Sequence, residues 1–108
     1  MKQKKDNKEK GAFSWKIKKK EFYVDLPHEK SSIDIKNVSE FADIMKKGIS
    51  KGVETIHIDL SNLVFIDTSG LGKLLSFSKM ARIILYNVSE EIKKVLEITH
   101  LLPFFNIK

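Results

Sequence analysis

Residues 64–75 read VFIDTSGLGKLL. Leu63 to Ile66 is an apolar, partly β-branched run of strand composition. Beyond Asp67-Thr68-Ser69-Gly70, the positions Leu71, Leu74, Leu75 and Ser78 recur at helical spacing. The stretch is therefore a strand-to-helix corner carrying a carboxylate and two hydroxyls. A chain built on such corners is α/β, because strands that alternate with helices need crossovers, and crossovers give a mostly parallel sheet.

The flanking sequence repeats the alternation. Upstream, Ile56, Ile58 and Leu60 fall on one side of a strand over 55–60. Before it, Val38, Phe41, Ala42, Met45 and Ile49 share one helical face. Asn37 and Glu40 have the spacing of a capping box, and Gly52 suits a left-handed stop. Phe13, Trp15 and Ile17, then Phe22, Val24 and Leu26, alternate around a lysine turn and predict a hairpin ended by Pro27. Downstream, 82–88 predicts a buried strand. Ser89 predicts the cap of a helix with Ile92, Val95, Leu96 and Thr99 on its face. Leu101 to Ile107 is apolar but broken by Pro103, so it predicts at best an edge strand. The expected order is β-β-α-β-α-β-α with a short final strand.

At 108 residues the chain is long enough for one core without disulfides, and it has no cysteine. No apolar run approaches the roughly 18 residues that span a bilayer, and no apolar segment follows the basic N-terminus as in a secretory signal. A cytoplasmic protein is expected. The net charge of +6 divides unevenly: residues 1–20 hold nine lysines against Asp6 and Glu9, and the rest holds eleven basic against twelve acidic side chains. The division predicts a lysine-rich flexible arm over residues 1–12 and one nearly neutral domain over 13–108. Such an arm suits an acidic lipid surface or acidic partner. It carries no interleaved aromatic before Phe13, and a bare lysine run reads no bases, so direct nucleic-acid binding is not expected.

Residues 67–70 admit four chemical readings. Thr68 or Ser69 could cap the following helix, with Asp67 favourably placed near its dipole. A nucleophile elbow would need G-x-S-x-G, but Asp67 stands where the first glycine belongs, and His28, His57 and His100 form no evident triad. Gly70 and Gly72 make only G-L-G, without the lysine of a phosphate-binding loop. Finally, a hydroxyl at a helix start is open to phosphorylation, which adds about −1.5 to −2 charge beside Asp67.

IHIDLSNLVFIDTSGLGKLL, residues 56–75, resembles the core of the STAS domain, the fold of bacterial anti-sigma-factor antagonists. That pattern is an apolar strand, D-L-S, a short spacer, then apolar-D-[ST]-[SA]-G-L and a helix. RIILYNVSEEIKKVLEITHLLPFFNI is similar to the family's closing strand and helix, and SSIDIKNVSEFADIM to the segment before its first helix. The resemblance spans roughly residues 13–107.

It implies a small mixed, mostly parallel sheet flanked by helices, acting as a binding module without a cofactor or metal and not as an enzyme. It implies that Ser69 is phosphorylated by an anti-sigma factor serine kinase. The unphosphorylated form would capture that kinase and free its sigma factor, and a PP2C-type phosphatase would reset the cycle. The surface implied for the partner comprises Asp34, Asp67, Thr68, Ser69, Gly70 and Leu71. The alternative is a STAS accessory or scaffold subunit of a lipid-transport ATPase or stressosome-like complex, in which the lysine arm would lie near a membrane.

Overall fold

The computed structural model describes residues 11–108. Most of the expected lysine arm, residues 1–10, lies outside the described residues. Gly11 and Ala12 are tied to the body, through Gly11 O to His28 Nε2 (3.2 Å) and Ala12 N–H to the Glu40 carboxylate (3.1 Å).

The elements run β1 (Ser14–Lys18), β2 (Glu21–Asp25), β3 (Ser31–Ile33), α1 (Val38–Ser50), β4 (Thr55–Asp59), β5 (Leu63–Ile66), α2 (Thr68–Ser78), β6 (Arg82–Tyr86), α3 (Glu90–Ile98), a 3-10 turn (Leu102–Phe104) and β7 (Asn106–Ile107). Five strands form the main sheet in the order β1-β2-β4-β6-β7, antiparallel only in the β1–β2 hairpin. From β2 onward each crossover advances the sheet in one direction. Right-handed crossovers that keep one direction place their helices on one face.

The burial pattern follows. Phe22, Val24, Ile56, Ile58, Ile83 and Leu85 point inward and are almost fully buried. They join Phe41 and Met45 of α1, Leu71, Leu74 and Phe77 of α2, and Ile92 and Leu96 of α3 in one core. Gly48 lets α1 press onto β2, since a Cβ there would sit 2.8 Å from the Phe22 ring. Among the described residues no helix is long and apolar enough to cross a membrane.

Four local expectations change. The apolar run over 55–66 divides, so β5 leaves the main sheet and pairs with β3 in a separate two-stranded parallel sheet. The predicted order therefore lacked β3, whose three residues are too few to show a period. The capping box does not form: Asn37 makes no side-chain cap bond to α1, and Glu40 accepts from Ala12 N–H instead. On α2 the buried face includes Phe77, whereas Leu75 is half-buried and Ser78 Oγ–H donates back to Leu75 O (2.6 Å). The 82–88 strand stops at Tyr86, where Asn87 turns with φ +57°. Other signals hold: Gly52 takes φ +80°, and Ser89 Oγ accepts from Ile92 N–H at 3.2 Å.

Candidate functional site

The β3–β5 pair positions the site. Ile33 and Ile66 are register partners, so the residues after them, Asp34 and Asp67, emerge side by side. One leads into α1 and the other into α2. Two helix starts, far apart in the chain, thus meet at one corner.

Asp67 joins the two segments. Its N–H donates to Ile33 O (3.2 Å). Its Oδ2 accepts from Ile35 N–H (3.0 Å), and its Oδ1 from Gly70 N–H (3.0 Å) and Ser69 Oγ–H (2.6 Å). The N-cap of α2 is therefore Asp67, not Thr68 or Ser69. An extended residue with a short carboxylate reaches the N3 amide, while the hydroxyls already lie inside the first turn. Foremost the Ser69 hydroxyl, and then the Gly70 and Ile35 N–H groups, hold the Asp67 carboxyl below its ordinary value of 3.8, against partial desolvation.

The sign of the pH effect follows. With the folded value below the unfolded one, the stabilisation is full above pH 3.8 and is lost as pH falls through and below it. Thermal melts between pH 6 and 3 are expected to show a shallower acid decline for Asp67→Asn than for wild type. Parallel acid limbs would remove Asp67 from that role.

Ser69 is half-buried and Thr68 exposed, so both hydroxyls lie at the surface of the corner. The remaining expected partner contacts are placed differently. Asp34 is only 7% exposed, and its carboxylate accepts from Ser32 Oγ–H (2.8 Å) and Lys36 N–H (3.0 Å) within its own loop. Its carbonyl receives Asn37 N–H and Val38 N–H at the start of α1. Leu71 is 7% exposed and belongs to the core. Gly70 is buried where a Cβ would meet Ile33 O at 2.5 Å. These three residues shape the corner and do not present side chains from it.

Exposed apolar side chains occupy the same two segments: Ile35 (73% exposed) beside Asp34, and Val64 (57%) and Phe65 (53%) on β5. The sequence reading took residues 63–66 only as a short apolar strand and did not mark Val64 and Phe65 as exposed. Ile35, apolar within the polar loop DIKN, was the available signal. Among the described residues no histidine hydrogen-bonds Ser69. His28 contacts Gly11 O, while His57 lies between Glu21 and Tyr86. The described residues hold no cluster of metal ligands.

This arrangement has counterparts. The STAS domain family model matches residues 28–108. The anti-sigma factor antagonist SpoIIAA in its unphosphorylated form superposes with TM-score 0.69 at 22% identity, over 90% of this chain and 87% of that one. The phosphorylated form of the Bacillus cell fate determinant SpoIIAA gives 0.68 at 24% identity, over 90% and 91%. A proposed anti-sigma factor antagonist from Thermotoga maritima gives 0.73 at 26% identity, over 88% and 84%. The match over residues 28–108 and these superpositions agree: the chain belongs to the STAS domain family and has the fold of its anti-sigma factor antagonists.

Proposed function

We propose that this protein is an anti-sigma-factor antagonist that captures a kinase-type anti-sigma factor while Ser69 is unmodified and releases it once Ser69 carries a phosphate. The supporting observation is the 2.6 Å bond from Ser69 Oγ–H to Asp67 Oδ1, at a corner where Asp67 also holds the loop of exposed Ile35, with Val64 and Phe65 exposed on the strand that leads into it. The apolar side chains supply area for a partner, and the hydroxyl supplies a position where charge can be added.

The chemistry is a phosphoryl transfer. The Ser69 oxygen bonds to the γ-phosphorus of ATP, the bond to the β-phosphate oxygen breaks, and ADP leaves. The hydroxyl proton is shed toward Asp67, which already accepts it as a hydrogen bond. Afterwards Asp67 has lost one of its donors and gained an adjacent anion. Like-charge repulsion then acts on Asp67, whose other oxygen accepts from Ile35 N–H, so a phosphate at residue 69 bears on the loop carrying Ile35 as well as adding charge. A PP2C-type phosphatase would restore the neutral corner. The partner surface in this reading is Ile35, Val64, Phe65, Asp67, Thr68 and Ser69, held in shape by Asp34, Gly70 and Leu71.

Incubation with a candidate anti-sigma serine kinase and ATP, read by intact mass, tests the proposal. One phosphate is expected on wild type and none on Ser69→Ala. Equal phosphorylation of the two proteins, or none of either with every STAS-partner kinase encoded alongside it, would refute the assignment.

A further inference from the structure

Among the described residues, no helix covers the opposite face of the sheet. Parallel sheets are normally covered on both faces, yet here the outer side of β1-β2-β4-β6 carries a concavity of about 550 Å³. That volume lies within the range of small-molecule sites.

Its wall is a row of rings set by the register. Tyr23 and His57 are neighbours on adjacent parallel strands and stack with centroids 4.6 Å apart. Tyr86 continues the row at 5.7 Å from His57. His57 is fixed at both ring nitrogens, by Glu21 Oε1 at Nε2 (2.5 Å) and Tyr86 OH at Nδ1 (2.7 Å). Both bonds orient the His57 ring within the wall.

One end of the concavity is anionic. Asp25 and Asp59 are register partners on β2 and β4. Among the described residues no cation is paired with either. The one lysine of the lining, Lys16, has its Nζ over the Tyr23 ring, 5.7 Å from the centroid, and His57 is engaged by Glu21. Desolvation acts to raise the Asp59 carboxyl, but hydrogen bonds from Ser61 and Asn87 outweigh it, so the group is held below its usual range and stays ionised. Like charges opposite one another on neighbouring strands destabilise a sheet. A cation seated between them relieves that repulsion, and aromatic rings nearby favour the same charge.

We infer that this outer face binds a small organic ammonium compound, with its nitrogen between Asp25 and Asp59 and its apolar body along Tyr23, His57 and Tyr86. The site shares no residue with the Ser69 corner and does not depend on the role proposed there.

The test compares three probes of one shape, phenethylamine, 2-phenylethanol and 3-phenylpropionate, titrated into the full chain and followed by amide chemical shifts. Phenethylamine is expected to shift the amides of Tyr23, His57, Tyr86 and Asn87 saturably, with at least tenfold tighter binding than the alcohol, and the carboxylate to bind weakest. Asp25→Asn is expected to lose most of that preference. Its side chain makes no hydrogen bond or ion pair among the described residues, so it keeps the experiment decisive if Asp25→Asn/Asp59→Asn fails to fold. Equal binding of the three probes, shifts mapping elsewhere, no shifts at all, or an undiminished preference in folded Asp25→Asn would each overturn the inference.

Discussion

Ser69→Asp is expected to weaken binding to the cognate kinase-type anti-sigma factor by about 30- to 1,000-fold, or roughly 2–4 kcal/mol. The Ser69 hydroxyl donates to Asp67 Oδ1 at 2.6 Å. An aspartate there puts a second carboxylate against the first, and docking would strip water from both. A desolvated, unpaired charge costs about that much at an interface. Ser69→Ala loses one hydrogen bond to Asp67 but adds no charge, so it is expected to bind within a few-fold of wild type and to resist release by ATP. Calorimetric titration of both variants, with thermal melts showing that each is folded, measures the difference. If the aspartate variant binds as tightly as wild type, charge at residue 69 is not the switch.

The largest stability effect is expected at Gly70. A Cβ there would lie 2.5 Å from Ile33 O and 2.9 Å from side-chain atoms of Ile33 and Ile66. The first obstacle is backbone, so no rotamer change relieves it. Gly70→Ala must push α2 away from β3 and strain the Asp67–Gly70 cap, at a cost of about 2 kcal/mol. For a domain of this size that is a fall in Tm of about 8–16 °C. Gly72→Ala is the control, because nothing lies within 4 Å of its Cβ position. There the helix preference of alanine acts alone, and Tm should rise slightly. A Gly70→Ala melt no lower than wild type would mean that β3 does not pack against α2 as described.

The two substitutions probe one device by different means. Ser69→Asp adds charge to the corner, while Gly70→Ala spreads it. Because Asp67 bonds to Ile33, Ile35, Ser69 and Gly70 together, either change is felt in the loop that carries Ile35.

How much of this was legible depended on the range of the cause. Alternation over 21–26 and 55–60, the 3.6-residue period over 38–49, the Ser89 cap and the Gly52 stop arise from neighbours within a few residues, and each was readable. So was the corner at 67–70, because an apolar strand run, then cap-forming Asp and hydroxyl residues, then a leucine-rich helical period mark a strand-to-helix junction. What Asp67 bonds to was only half readable: its cap of α2 is local, but its acceptance from Ile35 N–H joins residues 32 apart. Glu40 shows the same limit. Its spacing matched a box with Asn37, yet Ala12 N–H, 28 residues away, took its carboxylate.

By itself, then, the order of residues determined the α/β alternation, the helix faces and the position of Ser69 at a strand-to-helix junction, since these depend on local sterics and on which side chains avoid water. Only the tertiary structure decided that β3 and β5 would separate from the main sheet and set Asp34 beside Asp67. It also decided that Asp34, Gly70 and Leu71 would be buried while Ile35, Val64 and Phe65 remained exposed. Burial and pairing at that corner are settled by competition among segments some thirty residues apart, and no local pattern records which of them prevails.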